Sequence, residues 1–247
     1  MKKTISIISI FIISLVFINC SKKDQGKLAA EQFKLSENAS VNSEINKLKD
    51  TLKTAGTDVE KAEINTKIAV ILDEKGDINS LMKTAAEAVK YQPNQYMSRY
   101  LLGKSYIAVG RYNDAVDELN ISIGLKGDFA PAYFELGNAQ YKKFSYPAAK
   151  ESYKKAIAYD KKMIDAYNNL GVLSTLTNDL KSAETYLKTC NSLNPDFAVA
   201  YKNLGILYDT KMKKGPEAIE NYNKYLTLRP DCPERSLVKL WISAIGG

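Results

Sequence analysis

Apolar residues recur along the chain with two superimposed periods. Within short segments they fall at i, i+3 and i+4, the spacing of one face of an α-helix. Over longer distances the same face returns every 34 residues. The repeat is easiest to follow at one aliphatic position, which is occupied in turn by Ile68, Leu102, Leu136, Leu170 and Leu204. A period of this length predicts a stack of helical hairpins.

The position after each of these aliphatic residues is small. It is filled by Ala69, Gly103, Gly137, Gly171 and Gly205. Twelve residues further on, the second helix presents an alanine in three of the copies, whereas Ala218 comes thirteen residues after its glycine. We expect the glycine to face this alanine, so that the two helix axes approach closely. The extra residue of the last copy is expected in the turn between its helices.

The repeats resemble those of the tetratricopeptide repeat (TPR) family. The family pattern of aromatic, Leu-Gly, Tyr, Ala, aromatic, Ala and Pro is met best by residues 130–163. The resemblance implies an all-α fold, a right-handed superhelical α-solenoid of about five helix pairs with terminal capping helices. It also implies a protein that binds other proteins. The five repeats are expected at 62–95, 96–129, 130–163, 164–197 and 198–231.

Both flanks of the array are predicted to be capping helices. Residues 41–61 contain an apolar face and the start of the first repeat, with Thr57 and Glu60 spaced as a capping box for the next helix. Residues 232–247 predict a final helix that covers the exposed end of the stack. Its inner face is assigned to Leu237, Leu240, Trp241 and Ile245. In the last repeat, the bulky Tyr225 stands where the other repeats have a small residue.

The first residues of the chain resemble a bacterial lipoprotein signal. Lys2 and Lys3 precede an apolar run that ends at Cys20. In a lipobox this cysteine is diacylated and becomes the first residue of the mature chain, here by loss of residues 1–19. Phe17 and Asn19 depart from the usual lipobox residues, so an uncleaved anchor helix or ordinary cleavage stays open. The resemblance implies an exported protein anchored by lipid to a bacterial membrane, on the periplasmic face of the outer membrane or at the cell surface.

Residues 20–40 change to a polar composition. Lys, Gln, Glu, Ser and Asn dominate this stretch, and few apolar residues interrupt them. Such a composition is typical of a flexible linker. The lipidated cysteine and this stretch are therefore expected to form a tether between the membrane and the repeats.

Composition excludes several kinds of chemistry. The chain has no histidine, which removes catalytic triads, histidine metal sites and the commonest general base. No catalytic residue, cofactor or metal site is expected, although an enzyme acting through carboxylates or a cysteine stays as a remote alternative. The net charge of +7 is spread along the second helices as a solvated face, so a nucleic-acid partner is not expected. Cys190 occupies a core position, and a bridge to Cys232 is disfavoured by distance.

The family places its ligands in the concave groove formed by the first helices. Carried over residue by residue, the groove positions of this chain are Met97, Tyr100, Lys104, Ile107, Phe134, Asn138, Tyr141, Asn168, Val172, Leu176, Val199, Lys202 and Ile206. Many of these side chains are apolar, which favours a surface that buries a partner. Phe134 replaces a lysine with which the chaperone-adaptor branch grips a terminal carboxylate. An internal peptide segment or amphipathic helix is therefore the expected ligand.

These inferences describe a membrane-tethered, non-catalytic interaction adaptor of the bacterial cell envelope. Its expected partner is an envelope protein, or a peptide segment of one, whose complex it assembles or pilots. A docking regulator of cell-wall enzymes fits the same residues. Formation of a homodimer through a terminal helix also stays open.

Overall fold

The computed structural model describes residues 22–246, with side chains from Asn38 onward. This part of the chain consists of helices joined by short turns. An N-terminal helix, α1, spans Lys22–Thr54. Five hairpins follow: α2 (Asp58–Lys75) with α3 (Ile78–Tyr91), α4 (Tyr96–Ala108) with α5 (Tyr112–Leu125), α6 (Ala130–Lys142) with α7 (Tyr146–Tyr159), α8 (Ile164–Leu176) with α9 (Leu180–Leu193), and α10 (Ala198–Ile206) with α11 (Gly215–Leu228). A final helix, α12, spans Arg235–Gly246. The predicted all-α solenoid is confirmed.

The hairpins stack in chain order. Each first helix packs against the second helix of its own hairpin, and each second helix packs against the next first helix. First helices of successive hairpins also contact one another at α2–α4, α4–α6 and α8–α10, whereas the backbones of α6 and α8 lie further apart. The first helices therefore form one face of the stack, with a local opening between α6 and α8.

The glycine at each helix crossing accommodates a large side chain. A β-carbon placed on Gly137 would lie 2.6 Å from the ring of Tyr153, and one on Gly171 would lie 2.5 Å from Cγ of Leu187. Leu119 and Tyr222 cover Gly103 and Gly205 in the same way. The expectation that glycine faces alanine is therefore wrong at Gly137, Gly171 and Gly205, whereas at Gly103 the carbonyl oxygen of Ala115 also lies 3.3 Å from the β-carbon position. Glycine has no side chain, so the aromatic ring of tyrosine or the isobutyl group of leucine fills the space beside it. This filling is expected because helix interfaces are close-packed.

The spacing predicts the extra residue of the last hairpin in the turn between its helices. The structure instead places it inside the first helix. Helix α10 continues beyond Ile206 as a π-helical segment, Leu207–Met212. Lys213 then ends it with left-handed backbone, at φ 56°. A π-helical segment adds a residue without moving the flanking helix faces by a full position. Ala218 thus stays fully buried in the core.

The C-terminal helix caps the stack with a different face from the one predicted. Val238 is fully buried, whereas Leu237 and Leu240 are 47% and 64% exposed. Trp241 packs on Tyr222 with ring centroids 5.5 Å apart. The residues that join Val238 on the packed face are Trp241, Ile242 and Ile245. The assignment of Leu237 and Leu240 to the inner face is wrong, while Trp241 and Ile245 do lie against the last hairpin.

The N-terminal helix packs on the first hairpin as predicted from residue 41 onward. Ile45 is buried among Val41, Leu48, Leu52 and the apolar residues of α2. The capping box is confirmed, since the Glu60 amide donates to Thr57 Oγ1 at 3.2 Å and the Thr57 amide donates to Glu60 Oε2 at 3.1 Å.

A flexible tether over residues 20–40 is contradicted from Lys22 onward, where the chain is helical. Lys, Glu, Gln, Ala and Leu are good helix formers, and the segment contains no proline. The predicted signal segment and Cys20 lie outside the described residues. No helix among residues 22–246 has both the length and the apolar character needed to cross a bilayer.

Candidate functional site

A pocket of about 330 Å³ opens on the face formed by the first helices. It lies between α4, α6 and α8, where the backbones of α6 and α8 are further apart than those of other neighbouring first helices. Its lining residues are Ile107, Asn138, Tyr141, Lys142, Tyr153, Asn169 and Val172. The walls are largely apolar, and the amides lie together between them.

Side chains 31 positions apart on successive first helices meet across this face. Asn169 Nδ2 donates to Asn138 Oδ1 at 3.0 Å. Lys104 Nζ donates to Asp73 Oδ2 at 2.7 Å with the same separation in sequence. In a 34-residue register these two pairs are each offset by three residues, which is about one helical turn.

The amide row is held from the second helix of the third hairpin. The Tyr153 hydroxyl donates to Asn138 Oδ1 at 2.8 Å, so that this oxygen accepts two hydrogen bonds. Tyr153 is 1% exposed and reaches the pocket across Gly137, which has no side chain to block its ring. Two held amide groups of this kind are suited to backbone recognition, since an amide can both donate and accept.

An acidic group lies one helical turn below the amides. Glu135 Oε2 accepts from Asn138 Nδ2 at 3.0 Å. Burial raises the pKa of the Glu135 carboxyl, and the hydrogen bond from Asn138 opposes this rise. The carboxylate therefore lies in a partly desolvated environment at the edge of the pocket.

Both lysines predicted for the groove are held by carboxylates within the stack. Lys104 pairs with Asp73. Lys202 Nζ donates to Glu234 Oε1 at 2.8 Å, and the Tyr225 hydroxyl donates to the same oxygen at 2.6 Å. These hydrogen bonds lower the pKa of Glu234 to about 2. The bulky Tyr225 of the last repeat thus has a structural role, which is to link α11 to the segment that leads into the capping helix.

The pocket gathers four of the predicted groove residues, Ile107, Asn138, Tyr141 and Val172. Tyr100 and Phe134 lie partly buried between hairpins, where Tyr100 packs edge-on against Phe129 at 5.1 Å and Phe134 tilts against Tyr153 at 5.9 Å. The other predicted residues lie outside this pocket: Asn168 accepts from Asn203 at 2.8 Å, Leu176 is 53% exposed, and Met97, Val199 and Ile206 are half-buried.

Sequence reasoning left three lining residues out of the groove. Asn169, which precedes the Leu-Gly pair of its repeat, is not among the residues assigned to the groove from the sequence. Tyr153 has the spacing of the apolar stripe of a second helix, which predicts a core residue and not a groove residue. Lys142 is the last residue of α6. Gly137 is the sequence feature that could have identified Tyr153 as a pocket residue. A glycine on the first helix leaves space through which a side chain of the second helix reaches the groove.

The cysteines are buried and take no part in the pocket. Neither Cys190 nor Cys232 forms a disulfide. Cys190 Sγ lies 3.5 Å from the carbonyl oxygen of Ile164, and burial raises the pKa of its thiol to about 12. Such a thiol is protonated at neutral pH and is a poor nucleophile. Among the side chains that the structure describes, from Asn38 onward, no three of His, Cys, Asp or Glu lie close enough together to hold a metal ion.

Helical hairpins stacked in chain order define the class of helical-repeat solenoids. A family model described as "Tetratricopeptide repeat" matches residues 130–163 and 164–197. These bounds coincide with the third and fourth predicted repeats. Residues 130–197 of the chain are therefore tetratricopeptide repeats.

Comparisons with known proteins agree with this fold. The chain is 36% identical over 100 residues to the heat shock protein sti1 homolog of Schizosaccharomyces pombe, a match that spans 38% of this chain and 17% of that relative. The crystal structure of MamA is 27% identical with a TM-score of 0.59, covering 71% of this chain and 94% of MamA. PilW, described as a widely conserved type IV pilus biogenesis factor, is 19% identical with a TM-score of 0.68, covering 75% of this chain and 86% of PilW. At that identity the likeness to PilW shows the fold alone.

Proposed function

We propose that this protein is a non-catalytic, membrane-tethered adaptor of the bacterial cell envelope. Its first-helix face would bind a peptide segment or helix of an envelope protein and so assist assembly of a complex. The observation that carries this proposal is the pocket between α4, α6 and α8, in which apolar walls surround two amides held in place by Tyr153. Pockets with mostly apolar walls and a few fixed polar groups are typical of binding sites.

The pocket is suited to a peptide through two features. Ile107, Tyr141 and Val172 offer apolar surface to a side chain of the ligand. Asn138 and Asn169 lie beside them, where the backbone of a bound segment would pass. Because their hydrogen bonds already fix the amides, less side-chain entropy is lost on binding.

The envelope location is supported by the sequence of the first twenty residues, which resembles a lipoprotein signal. A lipid on Cys20 would hold the chain at a membrane, and α1 would then separate the repeats from the lipid. A non-catalytic role is supported by the absence of histidine from the chain and by the protonated state of Cys190.

Site-specific photocrosslinking in cells that produce the protein tests this proposal. A photoreactive phenylalanine analogue replaces Val172, which lines the pocket, and in a matched variant it replaces Ala158, which is exposed on the second helix α7. We expect one discrete envelope protein to be crosslinked from Val172 and not from Ala158, because only the former faces the bound segment. Equal crosslinking from both positions, or none from Val172, would contradict the proposal.

A further inference from the structure

The turn between the helices of the third hairpin has an unusual residue at its tightest point. In this turn each of the first four hairpins has one residue with left-handed backbone. Three of the four are types that tolerate it: Gly76 at φ 73°, Gly110 at φ 79° and Asn178 at φ 62°. The third hairpin has Phe144, at φ 59°. A bulky side chain in this conformation is strained.

Packing within the chain does not compensate for this strain. Phe144 is 77% exposed, the largest exposure of any large hydrophobic residue in the described part of the chain. The aromatic ring therefore combines a disfavoured backbone with unfavourable contact with water. Strained backbone conformations of this kind cluster at functional sites.

Phe144 is connected to the pocket by a row of aromatic rings. It packs edge-on against Tyr146 with centroids 6.2 Å apart. Tyr146 in turn tilts against Tyr141 at 5.6 Å, and Tyr141 lines the pocket. We call these three residues, Tyr141, Tyr146 and Phe144, the aromatic ledge. The ledge extends the apolar surface of the pocket to the outer edge of the solenoid.

The rim between the pocket and the ledge is basic. Lys142 lines the pocket, and Lys143 follows it directly. Both side chains are exposed, and neither forms an ion pair in the described part of the chain. By contrast, Lys104 and Lys150 are held by carboxylates. The rim thus offers two uncompensated cations beside exposed aromatic surface.

We propose that the aromatic ledge is the second half of the partner-binding surface. It would take a peptide segment in which an aliphatic or aromatic residue lies next to aspartate or glutamate. The apolar residue covers Phe144, and the carboxylate pairs with Lys142 or Lys143. This inference rests on the proposed function, since one segment would fill the pocket and then cross the ledge.

Selection of displayed random dodecapeptides on the full chain provides the probe, and fluorescence anisotropy measures the Kd of an enriched peptide. Enriched sequences should pair an apolar residue with an acidic one. Phe144→Gly should weaken binding about tenfold, because it removes a ring that the ligand buries. The thermal midpoint should stay within about 2 °C of the parent value, since relief of the strain offsets the greater entropy of the unfolded glycine chain.

Asn178→Gly is the matched backbone control, because it makes the same kind of change in the next turn without touching the ledge. It should leave the Kd unchanged.

The charge is tested by Lys142→Gln with Lys143→Gln, which should weaken binding about fivefold at low salt and less at high salt. Lys161→Gln with Lys162→Gln is its control, since both lysines are exposed in the turn between α7 and α8. This control should have no effect.

Three results would overturn the proposal. The selection could enrich no peptide, it could enrich peptides that lack acidic residues, or the Kd of an enriched peptide could stay unchanged in Phe144→Gly. Phe144-dependent sedimentation with phosphatidylglycerol vesicles, without peptide binding, would also overturn it in favour of a lipid surface. Val172→Glu separates the two proposals. If binding is weakened by Val172→Glu but not by Phe144→Gly, the pocket is the binding site and the ledge is not part of it. Peptides that ignore Val172 contradict the pocket itself.

Discussion

Gly171→Leu is expected to lower the free energy of unfolding by about 3 kcal/mol, the upper end for overpacking a core. A β-carbon on Gly171 would lie 2.5 Å from Cγ and 2.7 Å from Cδ2 of Leu187, which is itself fully buried. Neither side chain can move without displacing a helix of the fourth hairpin. Because each repeat is stabilised mainly by its neighbours, the lesion should weaken the array on both sides of the fourth hairpin.

Gly124→Leu is the matched control for this substitution. Gly124 is also helical, but nothing lies within 4 Å of a β-carbon placed on it. This variant should be neutral or more stable by about 0.5 kcal/mol, because leucine has the higher helix propensity. Chemical denaturation followed by circular dichroism measures both variants. Equal losses would mean that the helix crossing at Gly171 is not the close contact described above.

Val238→Asp is expected to lower the free energy of unfolding by about 3 kcal/mol, because it buries a carboxylate without a partner. Val238 has no exposed surface and lies in one apolar cluster with Tyr222 and Leu226 of the last hairpin and Trp241 of its own helix. The capping helix should detach first, leaving the last hairpin open to water. Chemical denaturation should therefore show a lower free energy of unfolding, with the C-terminal end of the array unfolding first.

Leu240→Asp is its control, since it places the same charge two residues away on the same helix. Leu240 is 64% exposed, so the change should stay within about 0.5 kcal/mol. A larger loss for Leu240→Asp than for Val238→Asp would support the helix face that the sequence alone predicts, and would contradict the packing of α12.

That helix face shows where sequence reasoning meets its limit. Leu237, Leu240, Trp241 and Ile245 fit a helical stripe, and so do Val238, Trp241, Ile242 and Ile245. The two stripes share two residues, and hydrophobicity does not separate them. The choice depends on the surface that the last hairpin presents, which a single segment does not contain.

The repeats were predictable because one constraint acts five times. The aliphatic position and the small residue after it mark every hairpin, so the helix pairs and their order follow from the period. What faces Gly137 does not follow, since Ala149 and Tyr153 both lie on the apolar stripe of the second helix. Only the helix crossing brings Tyr153 over the glycine.

The candidate site was predictable in part for the same reason. The family register placed Asn138, Tyr141 and Val172 on the first-helix face, and they line the pocket. It could not anticipate the wider separation of α6 and α8, which depends on how successive hairpins stack. Nor could composition show that Lys104 and Lys202 are held by Asp73 and Glu234.

Hydrogen–deuterium exchange with and without a selected peptide tests most directly whether the first helices form the binding surface. We predict slower exchange on binding in the C-terminal halves of α4, α6 and α8 and in the turn after α6. The second helices α5 and α9, which contribute no residue to the pocket or the ledge, should exchange at unchanged rates. Protection confined to the second helices, or to α1 and α12, would contradict the pocket as the site of partner binding.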